Sequence, residues 1–573
     1  MTAPVAASQL PQPAQAPSTR PAVRPAPARH SHWATVIVLA VACTLSVTAY
    51  LHFYPNGLTI TYGDAKSHLL IARRVLFADT PGVGQLGGVW LPLPHILMLP
   101  LVWSNWAYYS GFAGSAVMMA CYLLGTLFAF KIAWRITHSY WAAAAAAATF
   151  ALNPNILYLQ STPMTELLMF ATMLGAVHGL VCWAQGDQDA PYHHLYLLGA
   201  GLSALACGLT RYEGWTLAVA LTAAVLLGAL PGRAGPGLPR LWRLTRNDWH
   251  LAEGQAIAFG ILAVAAPVAW ALWNWAIFGS PLAFQTGQYA KPSNWVNSGE
   301  KAVHHWWIAL RTYSIATVDN VTGPIVIVAL LGLAAYLWRT RLSRDSLPVL
   351  ALLVMFPMFV VMLEKGERPL HVPPYYSGFY NVRFGLIMLL PACLLAGFLA
   401  HELGGGVLAR LVPAGRAGRW WRALRGTLRA SPSTALIGGV AFITVTALGS
   451  GQVVTLQEAV QSAASPTEQH ADAAAAWLRS HYSGGLVLME SYGNEDVAFA
   501  SRVPLGEQVY EGSYLKWAPA LTNPSGHGIT WVVMRDEPGD TDLVYQTLHG
   551  SSLLDGYRLT WSNFDYMIYK ARG

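Results

Sequence analysis

Charge is what this chain has least of. Only 11% of its 573 residues are Asp, Glu, Lys or Arg, while 54% are hydrophobic; soluble domains carry about 25% charged residues. Long apolar runs broken by short basic loops mark an integral membrane protein. The net charge of +7 therefore says little about nucleic acid, because the arginines sit where they set topology and meet lipid head groups. Cysteine is scarce as well. Cys43, Cys121, Cys182, Cys207 and Cys393 all fall inside apolar runs, which offers neither a disulfide framework nor metal-ligand spacing. They read as small buried hydrophobes. Acids are missing altogether from residues 1–32, a Pro- and Ala-rich stretch with Arg20, Arg24 and Arg29. Such a segment cannot bury a core, and a disordered cytoplasmic tail is expected. No internal repeat is visible, which counts against a transporter built from inverted halves.

What the sequence does have is apolar length. A bilayer core of about 30 Å takes about 20 residues per helix. Candidate spans lie near 34–54, 108–135, 141–160, 164–185, 194–211, 213–230, 254–278, 321–339, 347–364, 382–402 and 434–454. With the first taken as a retained signal anchor, the basic loops fall on one side, as the positive-inside rule asks. That parity requires two spans, not one, across 194–230. The fold expected is mainly α: a polytopic membrane protein of about eleven transmembrane helices. Its parts are a tail (1–32), a membrane domain (33–455) and an extracytoplasmic domain (456–573). The last is expected to be a small α/β unit, with a helix over 468–479, strands at 485–490 and 529–535, and a hairpin over 557–569.

The few charges are unevenly placed. Directly after the first span comes Gly63-Asp64-Ala65-Lys66-Ser67-His68, an acid, a base and a histidine at a water–lipid boundary, where they are costly to hold without a reason. The run 65–77 suits a helix with an apolar stripe (Leu69, Ala72, Val75, Leu76) that can lie in the head-group plane. Asp64 and His68 lie one turn apart on one face, and Lys66 and Arg73 two turns apart on another. A Gly/Pro-rich segment, Gln85 to His95, follows and cannot be one straight helix.

These residues, in this order, resemble the GT-C membrane glycosyltransferases. The resemblance is to the bacterial type that uses a lipid carrier, similar to protein mannosyltransferases and aminoarabinose transferases. Three later segments agree: Thr162-Pro163-Met164-Thr165-Glu166, Leu209-Thr210-Arg211-Tyr212-Glu213-Gly214-Trp215, and Tyr380-Asn381-Val382-Arg383-Phe384-Gly385. The resemblance covers about 34–402. It implies transfer of a sugar from a polyprenyl-phosphate donor to an acceptor hydroxyl or amine on the outer face, with inversion. Asp64 would be the general base. Glu166 would be a second acid that orients the acceptor or helps to bind a divalent cation. An anionic phosphate needs fixed cations, and arginine can grip two of its oxygens; Lys66, Arg73, Arg74, Arg211 and Arg383 are the candidates. His68, His95, Glu213 and Tyr380 complete the expected substrate-binding set.

Plainer readings stand beside these. Asp64 could cap its helix, a role worth about 1 kcal/mol, and Glu166 could answer a helix dipole. Arg211 and Glu213 could be a simple ion pair, and Arg383 could snorkel to head groups. His68 and His95 could be hydrogen-bonded packers, and Asn494-Glu495-Asp496 a solvated turn. At the level of function, the alternatives are a transporter or flippase of lipid-linked glycans and a non-catalytic assembly protein.

Overall fold

A computed structural model describes residues 32–186, 192–230, 245–291, 299–407, 419–536 and 542–572. The expected tail, apart from His32, and the loop arginines Arg233, Arg240 and Arg243 lie outside the described residues. All eleven apolar stretches are helical. Among the described residues, eight helices are long and apolar enough to cross a bilayer: His32–Asn56, Phe112–Thr137, Glu166–Gln185, Arg246–Phe278, Gly323–Thr340, Leu347–Glu364, Val382–Gly405 and Gly426–Ala463, the last of which breaks after Ser450 into the span proper and the short helix Val454–Ala463. The remaining three stretches form shorter helices. The 141–160 stretch is broken into Tyr140–Ala151 and Pro154–Leu159, because Asn153 caps the second piece and Pro154 opens it. The 194–230 stretch divides into His193–Gly208 and Glu213–Ala229, as the parity of the basic loops requires.

The bundle has a clear centre. Val382–Gly405 is 94% buried over its apolar window and Glu166–Gln185 78%, against 11% for Gly426–Ala463. Val382–Gly405 begins as a tight 3₁₀ turn whose Gly385 presses on the Trp306–Val321 helix, where a Cβ would collide with the Ala316 carbonyl. Buried amides fix that turn. Asn320 Nδ2 donates to the Val382 carbonyl at 2.7 Å, and the Asn320 carbonyl accepts from Asn153 and Asn155 at 2.8 and 3.2 Å. Asn155 Oδ1 in turn accepts from Thr455 at 3.0 Å. Amides among apolar helices meet few competing partners, which makes them good fasteners.

The C-terminal unit carries the expected α/β pattern. Its strands are β1 (Leu486–Leu488), β2 (Gln508–Val509), β3 (Ile529–Arg535), β4 (Tyr557–Ser562) and β5 (Tyr566–Ala571). They form one sheet in the order β2-β1-β3-β5-β4. The first three are parallel, and β5 pairs antiparallel with both β3 and β4. The helix Pro466–His481 covers this unit, opened by Ser465 as its cap. The expected border at 455/456 falls within the helix Val454–Ala463, which joins the last span to this unit.

The helix after the first span runs Gly63–Phe77. It differs from the expected interfacial helix in what covers it. Ala65, Leu69, Leu70 and Ala72 are at most 1% exposed, because the 83–102 segment and the C-terminal unit both pack against the helix. Asn494 and Asp496, expected in a solvated turn, are buried beneath that contact, and Asp496 pairs with Lys66. On another side of the unit, the Tyr289 hydroxyl donates to the fully buried Glu490 at 2.6 Å.

Glu490 makes stability pH-dependent. Burial pushes its carboxyl up to about 8, opposed by the Tyr289 bond and helped by Glu511 and Asp542. The folded chain therefore holds this proton more tightly than the unfolded chain, whose glutamate titrates near 4.5. The stabilisation is whole below that pH and is lost as pH rises towards about 8. Thermal unfolding in nanodiscs should show a midpoint that falls across this window, and Glu490→Gln should flatten the slope.

Candidate active site

The two most enclosed spans open on the same membrane face, and their first residues make the site. Glu166 begins Glu166–Gln185, and Arg383 is the second residue of Val382–Gly405. The Arg383 guanidinium is shared among three carboxylates. Nε donates to Glu166 Oε1 at 3.2 Å, Nη1 to Glu458 Oε1 at 2.7 Å, and Nη2 to Asp64 Oδ2. Arg211, in the break between His193–Gly208 and Glu213–Ala229, donates to the same Glu166 oxygen at 3.1 Å and to Glu213 Oε1 at 3.2 Å. Asp64, Arg383, Glu166, Arg211 and Glu213 thus form one continuous network, with Glu458 as a branch.

Two properties of this network decide what it can do. Four carboxylates meet two guanidiniums, so negative charge is in excess and some carboxylate is left able to accept a proton. Only one of the four is open to water: the Asp64 side chain is 42% exposed, while those of Glu166, Glu213 and Glu458 are 2%, 3% and 4% exposed. Further capacity points inward. Glu166 Oε2, Glu213 Oε2 and Arg211 Nε are buried with no hydrogen-bond partner among the described residues, and such groups are rare in folded proteins.

The other expected residues are placed differently. Tyr380 stands at the rim, 43% exposed and near enough to Asp64 and Arg383 for their charges to interact. His68 and His95 are buried and hydrogen-bonded through Nδ1 and Nε2 at 2.9 Å. Burial holds His95 down to about 3 and His68 well below the usual imidazole range, with His95, Arg211 and Arg383 adding to the effect at His68. Both rings are neutral at physiological pH and offer a phosphate no charge. Lys66, Arg73 and Arg74 turn away from the carboxylate network. Lys66 meets Asp496, Arg73 meets Asn105 and lies 4.3 Å over the Tyr108 ring, and Arg74 donates to Ser491 at 2.8 Å and stacks 3.8 Å over Tyr510. Of the five expected cations, only Arg211 and Arg383 are in the network.

Glu458 went unnoticed in the sequence. It stands on Val454–Ala463, accepting from Arg383 and, at 3.1 Å, from the Tyr62 hydroxyl. Its one signal is an acid within a few residues of the last span, the criterion that singled out Asp64. Three of the four acids, Asp64, Glu166 and Glu458, are held on the Arg383 guanidinium. Among the described residues no group of three or more His, Cys, Asp or Glu side chains is set to hold a metal.

No family model matches the chain, and no curated protein matches it. Solved structures do. ArnT from Cupriavidus metallidurans bound to undecaprenyl phosphate has a TM-score of 0.53 and 13% identity, over 94% of this chain and 98% of that chain. The same protein in the apo state has a TM-score of 0.50 and 13% identity, over 91% and 97%. At this identity the likeness speaks for the fold, and it runs from end to end. The fold of this chain, spans and C-terminal unit together, is the fold of these ArnT structures.

Proposed function

We propose that the chain is a membrane glycosyltransferase that moves a sugar from a polyprenyl-phosphate donor to an acceptor hydroxyl or amine. The observation that carries this reading is the placement of one water-exposed carboxylate, Asp64, on a guanidinium at the centre of a GT-C fold. Asp64 is the general base. Its free oxygen takes the proton of the acceptor as the acceptor oxygen or nitrogen bonds to the anomeric carbon, and the bond from that carbon to the phosphate oxygen breaks. The leaving polyprenyl phosphate gains negative charge, which Arg383 and Arg211 stabilise. Attack from the side opposite the phosphate inverts the sugar.

Glu166 and Glu458 hold the two arginines in place and keep their forks oriented. Tyr380 lines the approach to Asp64. The bound undecaprenyl phosphate of the ArnT structure supports the donor class. The site lies on the face that bears the C-terminal unit; we assign that face to the extracytoplasmic side, where nucleotide sugars are absent and a lipid-linked donor is needed. A transporter reading requires charges at mid-membrane depth, whereas these acids stand at span ends. The non-catalytic reading expects Asp64 and Glu166 apart, and Arg383 joins them. Mass spectrometry of cell-envelope glycans with and without the gene should reveal one glycan species that loses a single sugar. Identical glycan profiles would reject the reading.

A further inference from the structure

One loop of the C-terminal unit is set at the level of the membrane. The loop Glu511–Lys516 and the adjoining Tyr510 are pinned to the first inter-span segment at four points. Gln85 Nε2 donates to the Gly512 carbonyl at 3.0 Å, and the Tyr510 hydroxyl meets Gln85. The Tyr514 hydroxyl donates to the Gly84 carbonyl at 2.6 Å, and Lys516 pairs with Asp79 at 2.6 Å. These polar side chains are held against the segment beneath, Tyr514 and Lys516 at its open edge. Leu515, between Tyr514 and Lys516, turns outward and is 84% exposed.

The segment beneath fixes the height of the loop. Trp273 Nε1 donates to the Gly87 carbonyl at 3.0 Å, and a Cβ on Gly88 would lie 2.6 Å from the Phe278 ring. The 83–88 turn therefore sits beside the last turn of the span Arg246–Phe278, and the Tyr514 ring is 6.3 Å from that of Phe278. The outward side of the same helix end is apolar and open. Trp275 and Leu272 are 61% and 57% exposed and, with Val268, Ala271 and Pro281, line a cleft of about 360 Å³. Val83, next to Gly84, is 62% exposed.

We propose that Leu515 inserts into the lipid leaflet on this face, so that the 511–516 loop anchors the C-terminal unit to the bilayer surface. The occupant is phospholipid, because Tyr514, next to Leu515, approaches Phe278 at the end of a span whose outward residues Leu272 and Trp275 are apolar and exposed. An aqueous surface would leave a lone leucine 84% exposed on a loop whose polar neighbours are held against the segment beneath. A bilayer instead removes it from water at the depth where the Trp275 belt lies. This inference depends on the fold and not on the chemistry of the site.

Nitroxide accessibility tests it. The full chain, with Cys43→Ser because the other four cysteines are buried, is spin-labelled at Leu515→Cys and placed in phosphatidylcholine/phosphatidylglycerol nanodiscs. Leu331→Cys, on the exposed side of the span Gly323–Thr340, calibrates lipid; Arg558→Cys, exposed on β4, calibrates water. At position 515 the ratio of oxygen to nickel-chelate collisions should exceed that at 558 several-fold and approach that at 331. A ratio equal to that at 558 overturns the proposal. A label shielded from both reagents also overturns it, since a protein partner would then cover Leu515.

Discussion

An Asp64→Asn protein is expected to fold and insert normally yet transfer sugar roughly 10²–10⁴-fold more slowly, the range a positioned general base supplies. The amide keeps the size and a hydrogen-bond acceptor for Arg383, and the position is the exposed end of the network, so little packing is at stake. What disappears is a group able to accept the acceptor's proton. Single-turnover transfer from a polyprenyl-phosphate sugar, beside donor binding measured on the same preparation, separates the two effects. Binding kept with chemistry lost supports the assignment. Transfer at the wild-type rate would remove Asp64 from the role of base.

Arg383→Met should act on stability as strongly as on transfer. Among the described residues it removes the only cation that the buried Glu458 contacts and one of two that Glu166 contacts. Breaking a buried ion pair from one side costs about 3–5 kcal/mol, because the remaining charge has neither water nor partner. The unfolding midpoint in nanodiscs should fall accordingly. Adding Glu458→Gln should restore part of that loss, since the two side chains share one interaction and their effects cannot add independently. Arg383→Lys should not rescue, for a single ammonium cannot donate in the three directions that Glu166, Glu458 and Asp64 occupy. If Arg383→Met were as stable as the parent, the bridging role would be refuted.

Much of this architecture was legible in the residue order. Apolar length located the eight helices that are long enough to cross a bilayer among the described residues, and the break at Thr210–Tyr212 that the side of Lys131, Arg135 and Arg339 called for separates two helices. The strands expected at 485–490 and 529–535 and the hairpin over 557–569 lie within a few residues of β1, β3 and the β4–β5 pair. Chemistry was legible where charge is costly: Asp64, Glu166, Arg211, Glu213 and Arg383 stood out against hydrocarbon and meet in one network. Direction was not legible. Lys66, Arg73 and Arg74 share a helix with Asp64, and nothing local tells Lys66 and Arg74 to turn towards Asp496 and Ser491, more than 400 positions away, or Arg73 towards Asn105. The same missing partner made Asn494 to Asp496 look solvated. Glu458 escaped for a related reason, since its helix Val454–Ala463 reads as an ordinary connector until Arg383 is seen beneath it.

That connector makes the two halves of the protein inseparable. A truncation that retained every span but ended at Ser450 would discard Glu458 and the Thr455 carbonyl that receives Tyr62. Arg383 would be left short of an acid in the middle of the bundle. The visible cap above the membrane is thus rooted in its interior, and the spans alone should behave as an incomplete protein rather than as a minimal enzyme.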